Sequence, residues 1–279
     1  MKLSSNSLYI VSTPIGNLED ITLRAIEVLK NSDIILCEDT RRSIKLLNHF
    51  KVKKKLVSYH KFNEKKKASK VIEYINQGKI LSLISDAGTP LLSDPGRILV
   101  NLCIENRIKI VPVPGVSSIT TAMSVSGFKD QFLFYGFLPK TDGELKKILA
   151  SLSQNSFSQI FFIPAIKTNF YLKKFKEHFS GRKIVIAKEL TKIHEVFFRG
   201  NIDDLKLFDN KIKGELTVIV SEKNIEKKAL DKEKIVNKAK KYLKKYSLKD
   251  TVDIILESEK VNKKEIYKLC LKVKNEKNY

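Results

Sequence analysis

The stretch Ser82-Leu83-Ile84-Ser85-Asp86-Ala87-Gly88-Thr89-Pro90-Leu91-Leu92-Ser93-Asp94-Pro95-Gly96 decides how the chain is read. The apolar run Ile80, Leu81, Leu83, Ile84 stops at Asp86, and the eleven residues from Asp86 to Gly96 hold two Gly, two Pro, two Asp, one Thr and one Ser. An apolar strand running into small and turn-forming residues is how α/β proteins build ligand sites. Gly and Pro fix a backbone that side chains do not crowd, so the main chain itself can bond a ligand. The next apolar-periodic segment, Ile98 to Ile104, starts as a helix behind Pro95-Gly96. The stretch reads as a cofactor cradle; the alternative is a long structural turn.

Working outward from it, Leu8–Val11 is a short strand ending in Ser12-Thr13-Pro14-Ile15-Gly16-Asn17-Leu18, followed by a helix with Ile21, Ala25, Ile26 and Leu29 on one face. Asp33–Cys37 is a second strand, broken by Glu38-Asp39-Thr40-Arg41-Arg42, and a helix carrying Ile44, Leu47 and Phe50 follows. Leu56–His60 reads as a third strand, residues 63–76 as a basic helix with Val71, Ile72 and Ile75 inward, and Ile108–Pro112 as a fifth strand. Strand alternating with helix predicts a mostly parallel sheet with helices on both faces. In that architecture ligands gather at the carboxyl ends of the strands. The polar clusters Ser12–Asn17, Glu38–Arg42 and Ser85–Gly96 all fall at such ends.

The second half has a different grammar. Pro112-Val113-Pro114-Gly115-Val116-Ser117-Ser118 reads as a hinge into a small-residue helix, Ser118 to Ser126. Strands are expected at 132–138, 159–163, 183–187, 196–198 and 216–220, and helices at about 142–153 and 168–179. The third and fourth of these strands leave no room for a helix between them, so part of the sheet is antiparallel. The expected organisation is an α/β domain over 1–115, an α+β domain with a mixed sheet over 116–222, and a basic three-helix extension over 223–279. That extension resembles a helix-turn-helix unit, with a solvated helical tail as the other reading.

The 279 residues carry a net charge of +22, which suggests a polyanionic partner. Only 7 of the 53 basic residues are Arg, a bias that codon usage can also produce, so distribution matters more than the total. Residues 51–70 hold nine Lys and one Glu, and residues 223–279 hold 18 Lys and nine acids. An apolar share of 42% supports a real core, and no run reaches the ~18 apolar residues of a membrane helix. The first seven residues lack the apolar core of a signal peptide. Cys37, Cys103 and Cys270 are scattered, which suits a reducing cytoplasm, and with four isolated histidines no metal is expected.

There is no G-x-x-x-x-G-K-[ST] loop, no G-x-G-x-x-G after the first strand and no G-x-S-x-G elbow. Pro14 has no N–H to offer a pyrophosphate. A small ligand of mixed polarity, held by backbone, fits better than a nucleoside triphosphate or a dinucleotide. At this point residues 10–222 resemble the tetrapyrrole (corrin/porphyrin) methylase superfamily. They resemble most closely its branch that methylates the ribose 2′-oxygen of a cytidine in small-subunit (16S) ribosomal RNA. The markers are Ser12–Thr22, Cys37-Glu38-Asp39-Thr40-Arg41, Ser58-Tyr59-His60, Asn63-Glu64, Ser85–Gly96, Pro114–Ser118, Glu189-Leu190-Thr191-Lys192 and Gly214-Glu215. One departure stands out. Phe162-Ile163-Pro164-Ala165-Ile166-Lys167 occupies the place of the branch's usual Glu-Ser-Pro-His-Arg.

The resemblance implies a homodimer of two-domain subunits that bind S-adenosylmethionine in the interdomain cleft. By position the donor site comprises Pro14, Ile15, Asp86, Ala87, Gly88, Thr89, Ser117, Ser118, Ile163 and Leu190. Candidates for accepting the 2′-OH proton are Glu38, Asp39, His60 and Glu189, where Glu38 and Asp39 have the alternative of pairing with Arg41 or Arg42. Arg41, Arg42, Lys53, Lys54, Lys55, Lys188 and Lys192 are candidates for phosphate contacts, with Tyr59 and Phe62 available for stacking on bases. Two other readings stand beside this one: a tetrapyrrole C-methyltransferase of the same fold, and a non-catalytic RNA-binding assembly factor. A DNA-binding regulator led by the tail helices is weaker.

Overall fold

The computed structural model describes residues 3–209, 214–223, 232–258 and 263–276. Ile34–Cys37 is buried at all four positions, and its side chains alternate between two separate apolar clusters. A strand covered on both faces needs apolar residues at successive positions, which is why this segment reads as a run. It is the second of five strands, β1 (Ser7–Val11), β2 (Ile34–Cys37), β3 (Lys55–Ser58), β4 (Ile80–Leu83) and β5 (Lys109–Val113), in a wholly parallel sheet ordered β3-β2-β4-β1-β5.

Helices α1 (Leu23–Asn31) and α2 (Thr40–His49) cover one face through Ala25, Val28, Leu29 and Leu47. Helices α3 (Glu64–Asn76) and α4 (Arg97–Glu105) cover the other through Val71, Ile72, Ile75, Leu99 and Cys103. This doubly wound arrangement positions the site. β1 and β4 lie side by side, yet the helix after β1 packs on one face and the helix after β4 on the other. The chain leaves the two strand tips in opposite directions and opens a crevice between them, where open parallel sheets bind ligands.

The second sheet is mixed, as the absence of a helix between its third and fourth strands requires. Strands β6 (Phe132–Phe137), β7 (Ser158–Pro164), β8 (Lys183–Lys188), β9 (Val196–Asn201) and β10 (Glu215–Val220) are ordered β6-β7-β10-β8-β9. Only the β6–β7 pair is parallel. One face packs Phe161, Ile163, Ile186 and Val218 against Leu145 and Leu149 of α6 (Asp142–Ser153) and Tyr171 and Phe175 of α7 (Thr168–His178). Each such large side chain contributes on the order of 1.5–3 kcal/mol. The other face sets Ile160, Val185, Ala187 and Ile219 against Ile119 and Ala122 of α5 (Ser118–Ser124). Helix α5 ends two residues short of the expected Ser126, because the Ser124 and Ser126 hydroxyls donate back to the carbonyls of Thr121 and Met123.

Contacts within the chain separate Met1–Lys223 from Asn224–Tyr279. In the second unit, taken by itself, α8 (Lys232–Tyr242), α9 (Leu248–Ser258) and α10 (Lys263–Asn275) bury Ile235, Ala239, Val252, Ile255, Ile266, Cys270 and Val273 in a common core. Lys240, Lys241, Lys244 and Lys245 are exposed. No helix among the described residues is long and apolar enough to cross a membrane. The three cysteines are free and buried, and no cluster of metal-ligating side chains forms among the described residues.

Candidate functional site

Main chain knits the tips of β1 and β4 together. Thr13 N–H donates to the Gly88 carbonyl and Gly88 N–H to the Thr13 carbonyl, both at 2.9 Å. The Thr13 hydroxyl donates to the Ser85 carbonyl at 3.1 Å. Thr89 Oγ1 donates to the Val116 carbonyl at 3.1 Å, which uses its one proton, so Ser12 Oγ is the donor in the 3.0 Å Ser12–Thr89 bond. The segment expected to act as a hinge is thereby pinned to the cradle. Gly88 has φ +80°, and a Cβ there would sit 3.3 Å from Ile15 Cγ2. A residue without a side chain lets the backbone turn here and leaves the ligand space open.

The crevice widens into a cleft of about 860 Å³ between the two sheets. Pro14, Ile15, Asp86, Ala87, Gly88, Thr89, Ser117, Ser118 and Leu190, nine of the ten residues expected at the donor site, line it. Ile163 does not. Its side chain is in the core against α7, and the adjacent Phe162 faces the cleft instead. Strand alternation decides this, as β7 is covered on both faces. The far wall comes from the second sheet: Phe137, Phe162, Ala187, Glu189, Lys192 and Gly214–Thr217. The walls meet where the loop after β1 touches the turn after β8. Asn17 N–H donates to Thr191 Oγ1 at 3.0 Å, and a Cβ on Gly16 would lie 2.7 Å from the Leu190 carbonyl oxygen.

Most of the candidate proton acceptors already have partners. The Asp39 carboxylate caps α2 by accepting from Arg41 N–H, and takes two bonds from the Arg41 guanidinium at 3.1 and 2.8 Å. These hold its pKa down to about 2, with the guanidinium bonds the larger cause. Asp39→Ala is expected to melt a few degrees below Asp39→Asn, which retains a capping oxygen; equal melting temperatures would contradict the capping role. Asn63 Oδ1 accepts from His60 N–H, so its amide nitrogen is the group that donates to His60 Nε2 at 2.9 Å. The accepting nitrogen of His60 is occupied, and His60 does not line the cleft. Glu189 lines it but is bonded to Lys192 Nζ at 2.9 Å. Asp86 accepts from Asp39 N–H and pairs with Arg42 at 3.2 Å.

Glu38 lines the cleft, and burial followed by the Asp86 charge raises its pKa. Sequence reasoning missed Asp94, which also lines the cleft. Burial first, then the Glu38 charge, push its carboxyl up to about 6. It was inside the quoted motif, but nothing local marks it as facing an acid from another strand tip. Phe137, Phe162, Lys45 and Glu215 also line the cleft and were not among the expected site residues.

The basic candidates split. Arg42 and Lys192 line the cleft, and Lys45 joins them. Arg41 is exposed and held by Asp39. Lys188 ends β8 between the cleft-lining Ala187 and Glu189, so alternation directs its side chain to the opposite face. Lys53, Lys54 and Lys55 are exposed at the amino end of β3, away from the carboxyl edge where the cleft opens. Lys61, Lys65 and Lys66, beyond the carboxyl end of β3, are exposed at the cleft-side edge. Tyr59 is fully buried and cannot stack on a base, whereas Phe62 is 90% exposed.

Comparison with known proteins follows the same lines. The profile of the Tetrapyrrole (Corrin/Porphyrin) Methylases matches residues 7–206. The chain is 44% identical over 275 residues to the ribosomal RNA small subunit methyltransferase I of Rickettsia prowazekii, covering 96% of this chain and 98% of the relative. It is 44% identical over 232 residues to the protein of the same name from Mesomycoplasma conjunctivae, covering 82% of this chain and 96% of the relative. Among solved structures, the uroporphyrin-III C-methyl transferase of Thermus thermophilus, complexed with S-adenosyl homocysteine, superposes with a TM-score of 0.56 at 13% identity, covering 77% of this chain and 97% of that one. A parallel sheet with a switch-point crevice, a mixed second sheet closing over it and these matches lead to one assignment: the chain belongs to the tetrapyrrole (corrin/porphyrin) methylase family, in its ribosomal RNA small subunit methyltransferase I branch.

Proposed function

We propose that this protein is an S-adenosylmethionine-dependent methyltransferase that methylates the ribose 2′-oxygen of a cytidine in small-subunit (16S) ribosomal RNA. The observation that carries the reading is 44% identity along nearly the whole chain to a ribosomal RNA small subunit methyltransferase, with the cleft lined by the motifs that the relationship rests on. The residues present fit the donor. Gly88, Ser117 and Ser118 leave room for an adenosine and a methionine, a Cβ at Gly88 would intrude, and main chain at three loops is available to polar atoms. When bound, S-adenosylmethionine supplies a methyl group on positively charged sulfur. The chain's part is alignment, which can supply up to ~7–11 kcal/mol in favourable cases, together with removal of the hydroxyl proton.

We read Arg42, Lys45 and Lys192, which line the cleft, as the groups that meet phosphates, with the exposed lysines after β3 extending that surface. Phe62→Ala is expected to weaken RNA binding by about 1–3 kcal/mol, roughly 5- to 150-fold, with donor titration unchanged; RNA affinity within twofold of wild type would remove Phe62 from the interface. We also read the protein as a cytoplasmic homodimer, checked by a sedimentation mass of two chains.

The alternative substrate is a tetrapyrrole carbon. Incubation with methyl-labelled S-adenosylmethionine and either small ribosomal subunits or uroporphyrinogen separates the readings. Label is expected in the RNA, at a ribose, and not in the macrocycle. Donor binding without transfer to RNA would favour the non-catalytic assembly factor.

A further inference from the structure

We propose that Asp94, a partly buried carboxyl in the wall of the cleft, is the group that takes the 2′-hydroxyl proton. The assignment rests on the ribose-methylation reading above. It starts from the acids that line the cleft: Glu38, Asp86, Asp94, Glu189 and Glu215. Asp86 is held by Arg42 and by Asp39 N–H, and Glu189 by Lys192. Of the other three, Glu215 is exposed at the start of β10, while Glu38 and Asp94 are partly buried.

Their surroundings differ. Glu38, at the tip of β2, has the cationic Arg42 and the imidazole of His60 near it, which favour its charged form. Asp94, in the loop after β4, has the charges of Glu38, Asp86 and Glu215 near it, which disfavour its charged form, and the Ser85 hydroxyl, which favours it. Burial and the Asp86 charge raise both carboxyls, and the Glu38 charge raises Asp94 further, which holds a proton acceptor toward neutrality. The backbone is committed to this placement. Leu91 and Ser93, just before Asp94, both adopt left-handed conformations with φ +73° and +71°. Such residues cost on the order of 1–3 kcal/mol each and persist where the surrounding structure imposes them. Gly96 N–H donates to Glu64 Oε2 at 3.1 Å and ties the end of the loop to α3.

The step balances without a further reagent. The 2′-oxygen forms the new O–C bond to the donor methyl, and the C–S electron pair returns to sulfur, leaving a neutral thioether. The hydroxyl proton passes to an Asp94 carboxylate oxygen and then to water.

The test is single-turnover methyl transfer to small ribosomal subunits as a function of pH, in wild type, Asp94→Asn and Glu38→Gln. Wild type is expected to lose rate ~tenfold per pH unit below about 6, where Asp94 is protonated and cannot accept. Asp94→Asn is expected to be ~100- to 10,000-fold slower, with unchanged S-adenosylmethionine affinity and no acidic limb. Glu38→Gln removes the repelling charge, so its acidic limb should move to lower pH. This readout leaves Asp94 in place and does not depend on how well Asp94→Asn folds. An Asp94→Asn rate within a few-fold of wild type, or an acidic limb unmoved in Glu38→Gln, would overturn the assignment while leaving the function intact. A wild type that methylates no ribose would instead overturn the function on which it rests.

Discussion

Gly88→Val is expected to reduce S-adenosylmethionine affinity by roughly 30-fold to more than 10,000-fold and to remove methyl transfer with it. Two costs add. A β-branched residue at φ +80° is held in a conformation that costs on the order of 1–3 kcal/mol. Its Cβ would stand 3.3 Å from Ile15 Cγ2, and the added methyl groups must press on Ile15 or fill the cleft, an overpacking cost of about 1–3 kcal/mol. Relief is blocked, because both Gly88 backbone groups are bonded to Thr13. Moving the loop breaks the bridge between β1 and β4, and holding it blocks the donor. Donor binding has to restore the unshifted cradle against this ~2–6 kcal/mol, and at about 1.4 kcal/mol per factor of ten that difference gives the stated range. Gly143→Ala is the matched control, since a Cβ there meets nothing within 4 Å. Calorimetric titration of both variants checks the claim, and wild-type affinity in Gly88→Val would mean the donor does not use this cradle.

Binding to small-subunit RNA is expected to fall by ~1,000- to 100,000-fold between 50 and 200 mM salt, the range for six to ten phosphate contacts. The basis is where the lysines stand. Lys61, Lys65 and Lys66 border the carboxyl edge of the first sheet, Arg42, Lys45 and Lys192 line the cleft, and the C-terminal unit carries its own exposed lysines. Lys65→Glu and Lys66→Glu should each lower the slope of log K against log salt by about one. Lys53→Glu, at the other end of β3, should change it least. Binding insensitive to salt, or a larger effect at Lys53 than at Lys66, would contradict this surface.

The sheet was legible because its strands are buried on both faces: Leu8–Val11 and Ile34–Cys37 present continuous apolar runs that stop at polar loops. The loops that line the cleft were legible for a related reason. Ser85–Gly96 combines a strand end with residues that serve turns, and Pro14, Ser117 and Ser118 stand at the ends of neighbouring segments. The same double burial hid the choice between Phe162 and Ile163, both apolar on a strand with two covered faces. The position of Lys53–Lys55 could have been read, since they precede their strand and a parallel sheet puts its site at the other end. Asp94 could not. What distinguishes it is the charge of Glu38, a residue far away in sequence that the β2–β4 neighbourhood brings near. The locking of His60 by Asn63 is local, three residues apart, but it depends on a side-chain orientation that no spacing rule supplies.

Crystals grown with S-adenosylhomocysteine test the central claim most directly. The ligand is expected in the cleft between the two sheets, bonded by main chain of 14–15, 86–89 and 117–118, with the sulfur turned toward the Glu38 and Asp94 side. A cleft filled by the protein's own side chains, or the ligand lodged elsewhere on the molecule, would contradict it.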